Sequence, residues 1–463
     1  MEADPGSFRD PGGRIYTSGE KIFRAVMSSS ADDYATARAA GILATLVEQQ
    51  LLLPFEEIDP SILRGVVERP AHLLEHPRLP FISYPYEWSF SQLRAAALLH
   101  LDLHLAALEG GFTLSDATAY NVQFIGSRPV FIDHLSVRPY HEGEIWLGHR
   151  QFCMQFLNPL ILWSRVGVSP NSWFRGSLEG IAPEDVSRLL AWRHNLSWTV
   201  LAHVTLQAAM RRRQTKQGHQ AASDSKPELS RTAFKATLVG LRHFIASCKI
   251  PQHKTDWSDY SGSTSYAEEE ARLKRMFVSR AVEAIKPDVL LDLGCNTGDY
   301  SVAALEAGAK CVVGFDYDFG ALELAFERSR HEDLAFTPLW LDGANPSPSQ
   351  GWAERERRGF AERVKADASI SLAFIHHIAI ARNVPLWMVV DWLIGLAPTG
   401  VLEFPPKSDP MVQQLLARRD DIFPDYTEEN FMALVSARAR VVESLHLSPG
   451  GRLLVWYDRT GTE

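Results

Sequence analysis

The chain has 463 residues, of which 46% are hydrophobic and 22% charged, and this length predicts two or three domains rather than one core. Its formal net charge of -9 argues against a nucleic-acid-binding protein that relies on bulk positive charge. The four cysteines form no CxxC pair, which predicts neither a disulfide framework nor a metal-ligand set and favours a reducing cytosol. The polar amino terminus lacks a signal-peptide core, and the most apolar stretch, around Asp391, is too short and interrupted to span a bilayer, so we expect a cytoplasmic protein.

The first predicted elements are the strand IFRAVM, the segments VVERP and FISYPYEW as further strands, and a helix over residues 91–109. After that helix, Asp116 precedes Asn121 by five residues and Asp133 follows Asn121 by twelve, with VQFIG and PVFID as a hairpin between them. Protein kinases and aminoglycoside phosphotransferases place a catalytic aspartate, an asparagine and a metal-binding aspartate at such a spacing. Residues 14–210 therefore resemble an α+β kinase-like domain, and the resemblance implies ATP and Mg²⁺ as ligands.

The kinase-like pattern is incomplete in this sequence. No glycine-rich loop precedes IFRAVM and no VAIK-type lysine is identifiable, Arg24 being the nearest basic residue. The HRD position reads Leu-Ser-Asp, and the DFG position reads Ile-Asp-His. Phosphoryl transfer depends on positioning the phosphates and their metal ions. The missing loop therefore favours a degenerate scaffold that binds a substrate or a partner, with an active phosphotransferase as the alternative.

A boundary between two halves is predicted near the middle of the chain. Residues 183–210 are expected to form a helix, because their leucines and tryptophans lie near helical spacing. The following segment, RRRQTKQGHQAASDSKPELSR, has no apolar periodicity and predicts a linker. With a short amphipathic helix over residues 233–247, this linker region covers residues 211–255.

From Ala271 onward, helices alternate with continuous apolar strands. The predicted strands are Val289–Gly294, Cys311–Asp316, Phe336–Leu341, Ile370–Ile375 and Val401–Phe404. Such strands between helices predict a parallel sheet covered on both faces. The segments VVESLHL and RLLVWYD flank the turn residues 448–451 and predict an antiparallel hairpin. The carboxy-terminal half is thus predicted as an α/β, Rossmann-like sheet closed by an antiparallel hairpin.

The sequence LDLGCNTGDYS ends the first of these strands and opens the next helix. Gly294 and Gly298 allow the backbone to pass close to a ligand, because glycine has no Cβ. Their GxxxG spacing departs from the GxGxxG fingerprint of dinucleotide sites. Asp292, just before the turn, would suit a ligand that carries positive charge.

Acidic residues also follow the next two strands. Asp316 ends the second strand, where a carboxylate can accept both ribose hydroxyls, and Asp342 and Gly343 follow the third, where they can read an adenine edge. In this order and at strand ends, these residues resemble the cofactor site of class I S-adenosylmethionine (SAM)-dependent methyltransferases, over residues 256–463. The resemblance implies that SAM is contacted by Asp292, Gly294, Cys295, Asn296, Gly298, Asp316, Tyr317, Asp342 and Gly343.

The segment over residues 255–274 precedes the first strand and is rich in tyrosine and serine. Such a segment can fold over the SAM pocket as a lid, which makes Tyr260 and Tyr266 candidates for contact with SAM. An ordinary interdomain loop is the alternative.

The fourth strand is predicted to deliver His376 and His377 to the rim where the resemblance places the methyl acceptor, one on each face of the sheet. A histidine there can deprotonate a hydroxyl, an amine or a carboxylic acid, whereas helix capping and core packing are the alternative roles. Glu403, at the end of the fifth strand, is the candidate to orient this base or to bind the acceptor. No NPPY run accompanies the fourth strand, which weighs against a nucleobase acceptor.

The motifs DATAYNVQF, RPVFID and DLGCNTGDYS occur together in this chain. Their combination is similar to bacterial SAM-dependent methyltransferases of the nodulation-protein type. The resemblance implies methyl transfer to an oxygen or nitrogen of a small-molecule or specialised-metabolite acceptor. A bifunctional kinase-methyltransferase and a non-catalytic SAM-binding scaffold are the alternatives.

Overall fold

A computed structural model describes residues 2–63, 69–210, 228–250, 265–417 and 419–461. Its amino-terminal half begins with an antiparallel sheet of strand order β1-β2-β3-β5-β4. These strands are β1 (Glu2–Ala3), β2 (Gly13–Ser18), β3 (Lys21–Val26), β4 (Glu56–Ile58) and β5 (His72–His76). Two helices, α1 (Ser28–Ala39) and α2 (Ile42–Glu48), connect β3 to β4.

Of the three strands predicted before residue 90, one is confirmed. IFRAVM forms β3, and most of VVERP lies outside the described residues. FISYPYEW was wrongly predicted as a strand, because it forms a buried connection around the 3-10 turn Pro85–Glu87. The aromatic residues that suggested a strand pack into the core from an irregular backbone, since burial alone does not require a sheet.

The helix predicted over residues 91–109 is observed as α3 (Phe90–Glu109), and most of its apolar side chains are buried in the amino-terminal half. A capping box starts it: the Gln92 side chain accepts from the Ser89 backbone N–H at 2.9 Å, and Ser89 Oγ accepts from the Gln92 N–H at 3.4 Å. The strands after it are β6 (Phe112–Leu114), β7 (Val122–Ile125), β8 (Arg128–Phe131) and β9 (Val137–Pro139). β7 and β8 form the predicted hairpin, and β6 pairs with β9. These pairings bring the loop 115–121 beside residues 132–136.

Several short helices and the longer helix α9 complete this half. They are α4 (His149–Phe152), α5 (Asn158–Ile161), α6 (Asn171–Gly176), α7 (Pro183–Leu189), α8 (Trp198–Val200) and α9 (Arg231–Ser247). The π-helical turns Cys153–Leu157, Leu162–Val166 and Leu201–Thr205 continue the helices α4, α5 and α8. The long helix predicted over 183–210 is therefore wrong. Trp192 and Leu196 lie on a 3-10 turn between α7 and α8 and are 79% and 81% exposed. Their near-helical spacing in the sequence therefore does not mark the buried face of a helix.

The amphipathic helix predicted after the linker is observed as α9, and it packs along α3. Arg242 pairs with Asp102, and Phe234 lies edge-on to His104 with ring centroids 5.3 Å apart. The apolar face of α9 is fully buried by this contact. This helix is thus a structural part of the amino-terminal half rather than a bridge.

The carboxy-terminal half contains a seven-stranded sheet of order β12-β11-β10-β13-β14-β16-β15. Its strands are β10 (Val289–Leu293), β11 (Cys311–Asp316), β12 (Phe336–Trp340), β13 (Ala368–Ser371), β14 (Thr399–Phe404), β15 (Arg440–His446) and β16 (Leu453–Asp458). The strands β10 to β14 are parallel, and β16 runs antiparallel to both β14 and β15. This confirms the predicted parallel sheet with a closing antiparallel hairpin.

Helices cover both faces of this sheet. They are α10 (Ser265–Ile285), α11 (Asp299–Glu306), α12 (Phe319–His331), α13 (Phe360–Arg363), α14 (Ile375–Ala379), α15 (Leu386–Gly395), α16 (Pro410–Leu416) and α17 (Glu428–Ser436). Within the described ranges, no helix is long and apolar enough to cross a membrane.

The two halves share one apolar core. Phe81 packs edge-on against Phe315 with ring centroids 5.4 Å apart, and Trp163 packs edge-on against Phe319 at 4.9 Å. Close aromatic packing of this kind fixes the relative position of the two halves.

Candidate cofactor and acceptor site

The turn after β10 has the backbone conformation that its sequence predicts. Gly294 and Gly298 adopt φ angles of +83° and +86°, and Asn296 between them adopts +47°. Glycine reaches this region without strain, and asparagine tolerates it better than most residues. A Cβ on Gly298 would also lie 2.5 Å from Phe336 Cε1. The turn is therefore held in one shape by both conformation and packing.

Cys295 lies in the same turn but faces the core. Its side chain is 3% exposed and packs against Gly314 of β11, where an added Cβ would lie 2.9 Å from the Cys295 Sγ. The side chain of Cys295 therefore lies against β11, and a contact between Cys295 and the cofactor stays a prediction.

Asp292 is a buried carboxylate at the end of β10. It is 2% exposed and accepts a hydrogen bond from Ser301 Oγ at 2.6 Å. Burial, with a smaller contribution from the nearby Asp316 carboxylate, raises the pKa of Asp292 to about 7. A buried group poised between its two charge states suits a site that receives a cation.

Asp316, at the end of β11, ties the two neighbouring turns together. Its Oδ2 accepts from the Asn296 backbone N–H at 2.9 Å, and its Oδ1 accepts from the Asp318 N–H at 2.8 Å. Burial raises the pKa of Asp316. The carboxylate thus stands directly over the turn that carries Gly294 and Gly298.

Asp342 and Tyr317 share a partner that the sequence did not predict. Arg382 Nη2 lies 3.8 Å from Asp342 Oδ2, and its guanidinium lies 5.7 Å from the centre of the Tyr317 ring. Tyr317 is 58% exposed. Gly343 follows Asp342 and leaves no room for a Cβ beside the Phe374 ring. Arg382 thus completes a polar rim beyond β11 and β12, and no local motif marks it.

His376 and His377 lie on α14 and not on the fourth strand, which ends at Ser371. The prediction that they point to opposite faces of the sheet is therefore wrong, and their rings lie 4.1 Å apart. His376 is 1% exposed, and burial together with His377 lowers its pKa to about 2. Burial also lowers the pKa of His377, to about 4. His377 is half-buried and is the more accessible of the two.

Glu403 is fully buried, and cations surround it. Lys274 Nζ lies 2.7 Å and Arg452 Nη1 3.2 Å from Glu403 Oε1, and the Ala373 backbone N–H donates to Oε2 at 2.7 Å. Although burial alone would raise the pKa of Glu403, Lys274 and Arg452 hold it below its ordinary value. The expectation that Glu403 meets the acceptor is corrected, because these partners take its carboxylate. Lys274 and Arg452 were missed, since nothing near them in sequence indicates this pairing.

The two tyrosines proposed for the lid cannot be placed at the site. Tyr260 lies outside the described residues, and the side chain of Tyr266 does too, although its backbone begins α10.

A second polar cluster lies in the amino-terminal half. Asn121 Nδ2 donates to Asp116 Oδ1 at 3.2 Å and to Asp133 Oδ2 at 3.1 Å. Arg24, on β3, donates to Asp133 Oδ1 at 2.8 Å. Burial, together with Asp133, raises the pKa of Asp116 to about 7. The structure thus brings together the three residues singled out by spacing, and Arg24, the basic residue nearest to the missing lysine position in the sequence, joins them from β3.

The chain is similar to a known protein over nearly its whole length and to solved structures over less than half of it. Nodulation protein NoeA from Rhizobium meliloti (strain 1021) is 46% identical over 458 residues, which cover 98% of this chain and 96% of NoeA. Magnesium protoporphyrin IX methyltransferase (ChlM) from Synechocystis PCC 6803, solved with bound SAH, matches 43% of this chain and 90% of its own at 18% identity and a TM-score of 0.31. The bifunctional kinase-methyltransferase WbdD matches 41% of this chain and 39% of its own, at 20% identity and a TM-score of 0.28.

No family model matches the sequence. The two solved structures match less than half of this chain. The identity with NoeA, in contrast, extends over nearly the whole of both chains. The chain therefore belongs to the same family as nodulation protein NoeA.

Proposed function

We propose that this protein is a SAM-dependent methyltransferase, with residues 256–463 as its catalytic domain and an oxygen or nitrogen of a small molecule as its acceptor. One observation carries the proposal: Asp292, the loop 294–298, Asp316 and Asp342 meet at the carboxyl ends of three adjacent parallel strands. Ligands of open parallel sheets bind at this edge, where the strand order reverses.

The donor set fits SAM, which supplies an electrophilic methyl group when bound. Asp316 would accept from the ribose hydroxyls, because its carboxylate already stands over the turn. The ionised carboxylate of Asp292 would stabilise the positive charge that SAM carries. The exposed Tyr317 ring and the Arg382–Asp342 pair would bind the nucleoside end.

His377 is the candidate base for the acceptor in this proposal. His377 is more accessible than His376 and keeps the higher pKa of the two, about 4 against about 2, so it is the stronger base of the pair. Glu403 would act as a positioning residue, because it holds Lys274 and Arg452 beside this histidine pair. Much of the rate acceleration would come from aligning the acceptor with the methyl group.

The test is calorimetric titration of the full chain with S-adenosylhomocysteine (SAH). Asp316→Ala should abolish binding. The matched control, Asp288→Ala, changes a 66%-exposed aspartate at the opposite end of β10 and should leave binding unchanged. Equal affinity in both variants would contradict the assigned site. Once an acceptor is found, His377→Asn should lower kcat while SAH affinity stays the same, and SAH formation would exclude a pure scaffold.

A second candidate function concerns the amino-terminal half, residues 14–210. The bridging of Asp116 and Asp133 by Asn121 favours a kinase-like site that would bind Mg²⁺ and ATP. Against catalysis stands Arg24, whose guanidinium already pairs with Asp133, the carboxylate that would hold the metal. A degenerate site that binds an acceptor or a partner is therefore the preferred version, and a bifunctional kinase-methyltransferase is the alternative.

Titration with ATP and Mg²⁺, with and without SAH, separates these versions. Saturable ATP binding that is lost in Asp133→Ala would support the phosphotransferase. The control variant Asp102→Ala, which removes a partly exposed carboxylate of α3, should retain this binding. Clear SAH binding without ATP binding would support the version in which the amino-terminal half is a degenerate site that binds an acceptor or a partner.

A further inference from the structure

Two pairs of polar side chains at helical spacing face each other in the amino-terminal half. His149 and Cys153 are four residues apart, and so are His203 and Gln207. On a helix this spacing places both members of a pair on one face. Cys153 opens one π-helical turn and His203 lies within another. Such turns inside helices occur frequently at functional sites.

The ligand atoms of these residues lie close together. His149 Nε2 is 2.8 Å from His203 Nδ1 and 3.7 Å from Cys153 Sγ, and ligand atoms of all three residues lie within 4.8 Å of one another. Tetrahedral Zn²⁺, with bonds of about 2.0 Å to nitrogen and 2.3 Å to sulfur, would hold two nitrogens about 3.3 Å apart and nitrogen and sulfur about 3.6 Å apart. The distance between His149 Nε2 and Cys153 Sγ already matches, and the two imidazole nitrogens need to part by about half an ångström.

We propose that His149, Cys153 and His203 bind one transition-metal ion of the Zn²⁺ type. Two imidazoles and a thiolate are the ligands that such ions prefer, and the thiol proton would leave to solvent on binding. Cys153 is fully buried, whereas both histidines are half-buried, so an ion can reach the site from the surface. The fourth position stays open for water.

Gln207 supplies the outer contact that a ligating histidine requires. Its amide nitrogen, Nε2, lies 3.2 Å from His149 Nδ1. With the amide group flipped so that its oxygen takes this place, Gln207 would accept the Nδ1–H and leave Nε2 of His149 as the ligand atom. The ion would then join the helical run that starts at α4 to the run that starts at α8, across 54 residues of sequence. This inference does not depend on the proposed methyl transfer.

The test uses the full chain, freed of any histidine tag and stripped of metal, with Co²⁺ as the probe and Zn²⁺ as the competitor. One Co²⁺ should bind per chain with a thiolate-to-cobalt charge-transfer band, and Zn²⁺ should displace it. Cys153→Ser should remove this band, and His203→Ala should weaken binding at least about tenfold. The control Cys311→Ser, in a partly exposed cysteine on β11, should change neither.

Two outcomes would overturn the proposal. One is a parent chain that binds no Co²⁺ at a one-to-one ratio, which would leave only a hydrogen-bonded histidine pair. The other is a charge-transfer band that survives in Cys153→Ser but disappears in Cys311→Ser. Gln207→Leu keeps all three ligands and should weaken binding about tenfold, so the site can be tested even where a ligand variant fails to fold.

Discussion

A buried ion pair joins the two halves of the molecule and allows a quantitative prediction. Glu87 and Arg363 have side chains 2% and 3% exposed, and Arg363 Nη1 donates to Glu87 Oε2 at 2.9 Å. Arg363 also donates to the Ile82 carbonyl at 2.6 Å. Glu87 further accepts from the Ser347 hydroxyl at 3.2 Å and from the Tyr84 backbone N–H at 2.8 Å.

Arg363→Ala would leave the Glu87 carboxylate buried without a counter-charge. Removing one partner of such a pair costs about 3–5 kcal/mol of unfolding free energy. Arg363→Met combined with Glu87→Gln removes both charges and should recover about 2 kcal/mol or more of that loss. The control is Lys235→Ala, because the Lys235–Glu109 pair is 50% and 66% exposed and its loss should cost less than about 1 kcal/mol.

Urea unfolding, followed by tryptophan fluorescence and circular dichroism, measures these free energies. A loss in Arg363→Ala no larger than that in Lys235→Ala would refute the reasoning.

Three further predictions concern Asp292, Asp116 and the glycine turn after β10. Because the pKa of Asp292 is about 7 and a cationic ligand favours its ionised form, calorimetry should find SAM affinity falling below about pH 7 in the parent chain, whereas in Asp292→Asn this pH dependence should disappear. Asp116 has a pKa of about 7, so the folded state holds its proton longer than the unfolded chain, and stability is lost as pH rises from about 4 to about 7. Asp116→Asn should therefore stabilise the protein by about 2–4 kcal/mol in urea unfolding at pH 8 and have little effect at pH 4. Gly298→Ala places a Cβ 2.5 Å from Phe336 at a φ of +86°, and it should cost about 1–3 kcal/mol in urea unfolding and abolish SAH binding; near-parental values of both would contradict the packing argument.

Much of the carboxy-terminal sheet was predictable because its signals are local. Apolar runs and turn residues placed β10, β11 and β12 within one residue of their observed ends. The closing hairpin was predicted from two apolar segments around a Pro-Gly turn. The spacing of Asp116, Asn121 and Asp133 likewise identified three residues that share hydrogen bonds.

Predictions failed where a periodic pattern was a poor guide to burial. The leucines and tryptophans over 183–210 are near helical spacing, yet Trp192 is 79% exposed on a short turn. The apolar run through His376 suggested a longer strand, but the chain leaves the sheet at Ser371 and forms a helix. Short apolar segments fit both strand and helix, and only packing decides between them.

The sequence by itself determined the parallel sheet, its antiparallel end and the acidic residues at three strand ends, because periodicity and turn chemistry act over a few residues. The tertiary structure alone decided which charges meet. Glu403 is neutralised by Lys274 and Arg452, Glu87 meets Arg363 across 276 residues, and His149 meets His203 across 54. Electrostatic and metal-ligand contacts depend on distance in space, and the chain carries no local signal for a partner that folding brings from elsewhere.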